Sequence, residues 1–534
     1  MIMAAKLRPS SNQWYRRVGA RPSSGNGRRT GLYGQPRHAF PAELGGPIVD
    51  GTRPAPTAGH ERISTMTMRP ARALTGAITG AALLAAVGLT ATAASAQAIP
   101  VGSAAAALAS GIPAHADGTA GTTTAVAVTP DGKPDMDSSD SSSVSADGRY
   151  VAFRSASKRL VPGDTKRSFD IFVRDRQAGT VERVSVDSAG HQGSGDSDAP
   201  SISADGRFVA FNSKSANLVP GDTNGWSDVF VHDRQTGTTE RVSQGTGGEE
   251  ANWDSFNPSL SADGRFVVFE SAATNLVAGD TNDVPDAFVV DRQTGRTERV
   301  SVDSYGRQAT DIVTQSSISA DGRYVAFVSA APNLDLRPDT NHAADVFVHD
   351  RSTAETERVS LTAAGTQASG PSLVARISGD GRHVAFEADG NLVPDDTNNQ
   401  ADIYVRDLNT GALTWASREE FRRPTETPGR TPTVRPAISA DGRFVAFTSG
   451  QHGLVPNDGN GRWDVFVRDV QTGGIELASS ADDGTQATGE SRDPSISADG
   501  RFVAFTSYAQ NLVPGADDES DYLVPHVFLH DRGN

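Results

Sequence analysis

From Thr122 onward the apolar residues come in short dense runs and not at helical spacing. Between 200 and 244 four windows follow one another: "PSIS" at 200–203, "RFVAFNS" at 207–213, "DVFVHDR" at 228–234 and "TTERVSQ" at 238–244. Their lengths, their β-branched and aromatic side chains and the polar, glycine-containing stretches between them predict four β-strands, called a, b, c and d. The cores of b and c, "FVAF" and "VFV", lack the polar alternation of a half-exposed strand, which predicts strands covered on both faces. Windows a and b are joined by Asp205-Gly206, a strong hairpin signal because glycine enters the positive-φ region at no steric cost.

The pattern repeats. "SISADGRFVAF" at 201 returns as "SVSADGRYVAF" at 143, "SLSADGRFVVF" at 259, "SISADGRYVAF" at 317, "RISGDGRHVAF" at 376, "AISADGRFVAF" at 437 and "SISADGRFVAF" at 495. The turn aspartates fall at 147, 205, 263, 321, 380, 441 and 499, with spacings of 58, 58, 58, 59, 61 and 58 residues. So regular a period marks a structural unit. Four-stranded units covered on both sides by copies of themselves are best satisfied in a closed ring. The expected fold is therefore all-β, a seven-bladed β-propeller of four-stranded antiparallel blades over 122–534. The last copy ends with "HVFLHDRGN" and lacks strand d, whereas "TTTAVAVTPDG" at 122–132 matches one. The last blade is thus expected to be closed by the N-terminal strand, which removes two exposed edges. An open solenoid is the alternative, but it would leave an edge unpaired.

The phrase Pro-Ser-Ile-Ser-x-Asp-Gly-Arg-x-Val-Ala-Phe, followed by "DVFVHD" and "ERVS", resembles the repeats of TolB-type β-propellers over Thr122 to Asn534. The resemblance implies a propeller and a non-enzymatic role in a cell-envelope complex outside the cytoplasm. This sequence departs from that pattern in having seven repeats where the family has six blades, and in having no room for the family's separate N-terminal domain. A role in the Tol system itself is therefore not expected.

Charge divides the chain. Residues 1–65 hold ten Lys/Arg against three Asp/Glu, and residues 97–534 hold 37 against 62, a net charge of −25. An acidic surface repels phosphates and anionic lipid, so no nucleic-acid partner is expected. Cysteine is absent, which excludes disulfides, thiol nucleophiles and cysteine-ligated metals. Arg69 and Arg72 precede an apolar run from Ala73 to Leu89 and a small-x-small site at Ala94-Ser95-Ala96, the anatomy of an export signal. The expected organisation is a basic extension at 1–65, which includes the alternative of a start at Met66 or Met68. A signal peptide follows at 66–96, an Ala/Gly-rich linker at 97–121 and the propeller at 122–534. The propeller is then secreted or otherwise extracytoplasmic, with a membrane association only if the signal segment stays uncleaved.

Alternating connections place the tight a–b and c–d turns on one face and the longer b–c and d–a loops on the other, where function is more readily carried. Five b–c loops share Asp-x-Asn-x-x-x-Asp: Asp222, Asn224, Asp228; Asp280, Asn282, Asp286; Asp339, Asn341, Asp345; Asp396, Asn398, Asp402; and Asp458, Asn460, Asp464. Oxygen ligands at positions 1, 3 and 7 would begin a calcium loop, although position 5 lacks an acid and no bidentate Glu follows. The other reading is a set of Asx turns that satisfy the loop backbone. No other cofactor is expected.

The histidines of "VHDR" (His232, His349, His530) alternate with Arg174, Val290, Arg406 and Arg468 in other copies, which points to a structural position. The next residue is Asp in all seven copies, and a brace to the Arg of the same copy's Asp-Gly-Arg turn is expected. There is no Gly-x-Ser-x-Gly elbow, no His-Glu-x-x-His and no phosphate-cradling glycine loop. Trp226, Trp253 and Trp463, with Phe169 and Phe256, fall in the longer loops, where they would stack on sugars or anchor a protein, or fold over the blades as caps. The functional expectation is a monomeric, non-enzymatic module binding an envelope or extracellular protein or glycan through its longer-loop face. The alternatives are a propeller enzyme acting on polysaccharide, a glycosidase or lyase, and a calcium-stabilised structural propeller.

Overall fold

Twenty-eight short strands form seven four-stranded sheets, and among the described residues there is no helix. The structure is a computed structural model that describes residues 121–135, 137–398, 400–421, 433–456, 458–515 and 524–533. All of them belong to one unit, Ala106–Asn534. The extension, the export signal and the linker up to residue 120 lie outside the described residues.

Each sheet is one blade, with strands in the order a, b, c, d and every neighbour antiparallel. Blade 1 holds Ser139–Val144, Tyr150–Ser155, Asp170–Asp175 and Thr180–Arg183. Blade 2 holds Ser197–Ile202, Phe208–Ser213, Asp228–Asp233 and Thr238–Arg241. Blades 3 to 6 follow at 255–299, 313–358, 372–415 and 433–477. Blade 7 takes Ser491–Ile496, Phe502–Ser507 and His526–Asp531 from the C-terminal end and Thr122–Ala125 as its strand d. Thr122 pairs with Asp531 and Ala125 with Phe528, so the chain's two ends lie in one sheet. Each strand a also neighbours the strands a of the two adjacent blades, which closes the ring.

Strand a starts three residues earlier than the apolar pattern predicts. A β-bulge explains this: in blade 2 the a–b register shifts between Asp198 and Ser201. Every blade repeats it, with a non-glycine residue at positive φ in strand a: Ser141, Ala199, Asn257, Gln315, Val374, Arg435 and Asp493, at 42–58°. The extra residue breaks the period of two, so only the second half of the strand reads as a strand.

The core lies between blades. Phe211 and Phe230 of blade 2 pack with Ala152, Ile171 and Val173 of blade 1, and the same arrangement recurs around the ring. Within blade 2 the Phe211 and Phe230 rings, on directly paired strands, lie 6.0 Å apart and stacked. Such a pair adds about 0.5–1.5 kcal/mol beyond its area. Both faces of strands b and c are buried, as their unbroken apolar runs predict.

Candidate functional site

At the tight-turn end every conserved element of the repeat is engaged within the protein. Asp205 accepts from Ser203 Oγ at 2.7 Å and from the Arg207 backbone N–H at 2.9 Å, which fixes the turn. Gly206 sits at φ 73°, and a Cβ there would lie 2.1 Å from the Tyr150 ring of blade 1. Arg207 donates Nε and Nη2 to the two oxygens of Asp233, at 2.9 and 2.7 Å. All seven blades make this Arg–Asp brace. The guanidinium beside it holds the carboxyl of Asp175, Asp291 and Asp350 down to about 2. In five blades the following Arg reaches across to the neighbour: Arg292 covers the Phe208 ring at 4.4 Å, pairs with Glu240 at 2.5 Å and donates to Gly264 O. A ring of backbone bonds, from Ala146 N to Ala204 O at 3.0 Å and on around to Ala498 N donating to Ala146 O at 3.1 Å, joins all seven turns. Asp-Gly-Arg fixes its own blade's hairpin through the Asp and Arg and meets the preceding blade through the Gly.

The "VHDR" histidines are structural too. His232, His349 and His530 are buried, and each shares a hydrogen bond with a threonine Oγ1, at 2.9, 2.8 and 2.9 Å. Those threonines donate onward to carbonyls of the preceding connection, and Thr123 of the N-terminal strand fills the role in blade 7. Burial lowers the imidazole pKa in all three.

On the other face, the Asp-x-Asn-x-x-x-Asp loops are organised by hydrogen bonds. Asn224 Oδ1 accepts from the Trp226 N–H at 2.9 Å, while its Nδ2 donates to Asp228 at 2.8 Å and to Ala251 O at 3.1 Å. Asp228 also accepts from Ser243 Oγ at 2.6 Å. Asn282, Asn398 and Asn460 donate likewise to Asp286, Asp402 and Asp464; Asn341 donates to Ala368 O. Between the carboxylates of blade 2 lies Arg241 of strand d, 3.5 Å from Asp222, 3.7 Å from Asp228 and 2.7 Å from Glu250. Arg299 lies 3.3 Å from Asp280 and 3.6 Å from Asp286, and Arg358 lies 3.3 Å from Asp345.

This arginine is missing from two of the five loops. Trp415 takes its register position in blade 5, where Tyr404 Oη donates to Asp396. Leu477 takes it in blade 6, and Asp458 Oδ2 is buried there without a hydrogen-bond partner among the described residues. Burial pushes Asp464 up to about 6. Among the described residues no group of three or more His, Asp or Glu side chains is disposed to hold a metal ion.

The a–b strand pairs near this face hold side chains that motif reading passes over. One cross-strand pair of a and b differs in every blade: Asp140/Arg154, Asp198/Asn212, Phe256/Glu270, Thr314/Val328, Leu373/Glu387, Val434/Thr448 and Arg492/Thr506. Arg154 reaches Asp198 of the next blade at 3.1 Å and Asp140 at 3.5 Å. Glu270 is fully buried, accepting from Ser316 N–H at 2.9 Å, Ser316 Oγ at 3.2 Å and Asn257 Nδ2 at 3.1 Å. Burial pushes Glu270 and Glu387 up to about 7. The only sequence signal was the variability of this column inside an otherwise repeated phrase.

The five aromatic residues do not converge on one site. Trp226 and Trp253 stack on each other at 4.2 Å between ring centroids. Phe169 lies 3.8 Å beneath the Arg154 guanidinium. Trp463 immediately precedes strand c of blade 6, away from that pair. Phe256 corrects the loop assignment: it is the second residue of strand a in blade 3 and faces Glu270 in the register, because the bulge extends the strand toward the long-loop end.

No protein-family model matches the chain, and no curated protein matches it. Among solved structures it is similar to TolB from Acinetobacter baumannii, at 16% identity over 73% of this chain and 82% of that one, with a TM-score of 0.34. It is similar to oligogalacturonate lyase from Vibrio parahaemolyticus, at 14% identity over 77% and 97%, with a TM-score of 0.45. The β-propeller domain of the Trilobed protease from Pyrococcus furiosus matches at 12% identity over 74% and 95%, with a TM-score of 0.44. These likenesses concern the fold alone. The propeller expected from the TolB-like repeat phrase is the fold found.

Proposed function

We propose that this chain is an extracytoplasmic, non-enzymatic propeller that binds a protein or glycan of the envelope or its surroundings through the long-loop face. One observation carries the reading. The Ser-x-Asp-Gly-Arg turns and brace aspartates shared by all seven repeats are engaged within the protein at the tight-turn face, whereas one a–b cross-strand column and the loop aromatics differ from blade to blade at the long-loop end. A rigid scaffold with a divergent rim is suited to recognition. Catalysis on polysaccharide would need a carboxyl within reach of substrate. Glu270, raised to about 7, has no solvent exposure and is held by three hydrogen bonds, so its chemistry supports a structural role.

The test compares the faces. The full chain is immobilised and exposed to envelope extract, alongside one variant carrying lysine at Thr281, His342 and Asp395 and another carrying lysine at Gln177, Gln235 and Gln293. Retained proteins and glycans are quantified. Loss of a retained species in the first variant and not in the second is expected. Equal retention by both variants, or loss through the tight-turn face, would overturn the reading.

A further inference from the structure

Trp226 and Trp253 stand where the repeat otherwise keeps small or polar residues. The position of Trp226 holds Ser168, Val284, Ala343, Gln400 and Arg462 in other blades, and that of Trp253 holds Gly195, Asp311, Gly370 and Gly489. At Gly370 and Gly489 a Cβ would come within 2.0 and 2.4 Å of neighbouring backbone, so those connections have no room for a side chain. Only at the entry to blade 3 is the place given to an indole, and that indole is 49% exposed.

The two rings come from different segments, the b–c loop of blade 2 and the connection into blade 3, and they stack at 4.2 Å with 26° between planes. The segments are tied together. Ser227 N–H donates to Asp254 Oδ1 at 2.8 Å, Ser255 N–H to Ser227 O at 2.7 Å, and Asn224 Nδ2 to Ala251 O at 3.1 Å. The platform is therefore built in advance, which removes much of the ordering cost of binding.

Its surroundings select the ligand. The residues flanking the indoles in sequence are short and polar, and the other large exposed apolar side chains (Tyr305, Leu336, Leu373 and Phe421) are spread over separate segments from the blade 3–4 connection onward. An apolar patch of the kind that anchors a protein is thus not formed by side chains adjoining Trp253 in the chain. A flat aromatic face bordered by amides and hydroxyls instead matches a pyranose ring, whose C–H face is apolar and whose edge is hydroxylated. Charge narrows the class. Glu250, beside Asn252 and Trp253 in sequence, accepts from Thr223 N–H and Oγ1 at 2.8 and 2.6 Å, and these bonds hold its carboxyl down to about 2. Arg241 lies 2.7 Å from Glu250 and balances it, so repulsion of uronate and sulfated sugars rests on the neighbouring Glu249 and Asp254 and on the net charge of −25 over 97–534.

We propose that Trp226 and Trp253 form a stacking platform for an uncharged oligosaccharide. This rests on the long-loop face being the binding face. Calorimetric titration of the full chain with cellohexaose, xylohexaose, mannohexaose and chitohexaose, and with hexagalacturonate, tests it. Saturable binding of at least one neutral sugar is expected, with at least tenfold loss in Trp253→Ala, partial retention in Trp253→Phe and a change of under twofold in Trp463→Ala. Each variant's melting temperature is to lie within 2 °C of the parent, as expected for a change at an exposed site. Binding of no neutral sugar, equal binding by Trp253→Ala, or preference for hexagalacturonate would overturn the proposal. So would a concentration-dependent dimer that Trp253→Ala abolishes, since the platform would then serve a second copy. Failure here with a face-dependent partner still retained in the extract experiment leaves the broader reading standing.

Discussion

At the tight-turn end the seven blades share one framework: each has the same Ser-Asp hydrogen bond and an Arg–Asp brace, and each turn glycine meets the ring of the blade before it, while five of the blades add the following Arg. At the long-loop end one register column carries seven different residue pairs, and neighbouring blades are tied by different means: Arg154 to Asp198, Glu270 to Ser316, Arg435 to Asp493. The contrast separates two demands on one repeat. Ring closure requires each blade to fit both neighbours, so the closing surface must be uniform. A binding surface has no such requirement, and divergence there leaves the ring intact.

The comparison can be broken most severely on the divergent face. Arg241→Leu gives blade 2 the residue of blade 6 and strands Asp222, Asp228 and Glu250 without their cation. Removing one partner of a buried ionic group costs about 3–5 kcal/mol, so a large fall in chemical-denaturation stability is expected. A change within error would mean that these carboxylates do not depend on the guanidinium. Melting the parent and this variant with calcium and with chelator then asks whether a divalent ion takes the vacated place; a calcium-dependent rise larger in the variant than in the parent, whose blade 6 already has leucine there, is the expected signature, since a ligand of the folded state alone stabilises it.

On the uniform face, Gly264→Ala forces an L side chain into φ 68° with its Cβ 2.4 Å from the Phe208 ring. The left-handed conformation alone costs about 1–2 kcal/mol, and the clash adds to it. The same cost is expected at Gly206 and Gly322, whose surroundings match; unequal costs would show that the turns are not equivalent.

A pH series separates the faces in one experiment. The brace carboxyls of Asp175, Asp291 and Asp350 sit at about 2, below their unfolded value, so their contribution is present above pH 4 and is lost as pH falls toward 2. Glu270 is raised to about 7 from 4.5, so its contribution is present below pH 4.5 and is lost as pH rises through 7. Stability is therefore expected to be greatest near pH 4–5. Glu270→Gln should make the alkaline side shallower, with Glu387 and Asp464 keeping their shares, and leave the acid side unchanged; an unaltered alkaline slope would remove Glu270 as a cause. The smallest effect is at Val374, a β-branched residue at φ 42°. Val374→Asn, which tolerates that region, is expected to stabilise by about 1 kcal/mol, and a loss of stability would show that the valine's packing outweighs its backbone strain.

Much of the uniform face was legible because its partners recur at a fixed distance in the chain. The Arg207–Asp233 brace follows from two motifs that always occur together, and the closure by Thr122–Ala125 follows from a missing strand and a spare one. The divergent face was read less completely. Arg241 belongs to "ERVS", which as a motif gives no hint that it lies between Asp222 and Asp228. The loops looked like oxygen-ligand sets because the sequence shows the acids and not the guanidinium between them. Phe256 was placed in a loop because a bulge hides the first half of its strand.

By itself the sequence determined the fold class, the blade number, the closing strand and the hairpin and brace of the Asp-Gly-Arg turn. Each depends on local propensity or on periodic recurrence, and both are properties of the chain's order. Tertiary structure decided which charges meet, which carboxyls are buried and which two of five loop aromatics touch. Trp226 and Trp253 are neighbours only because the strands of one blade and the entry of the next bring their segments to the same corner. Such juxtapositions do not repeat, so no period in the sequence announces them.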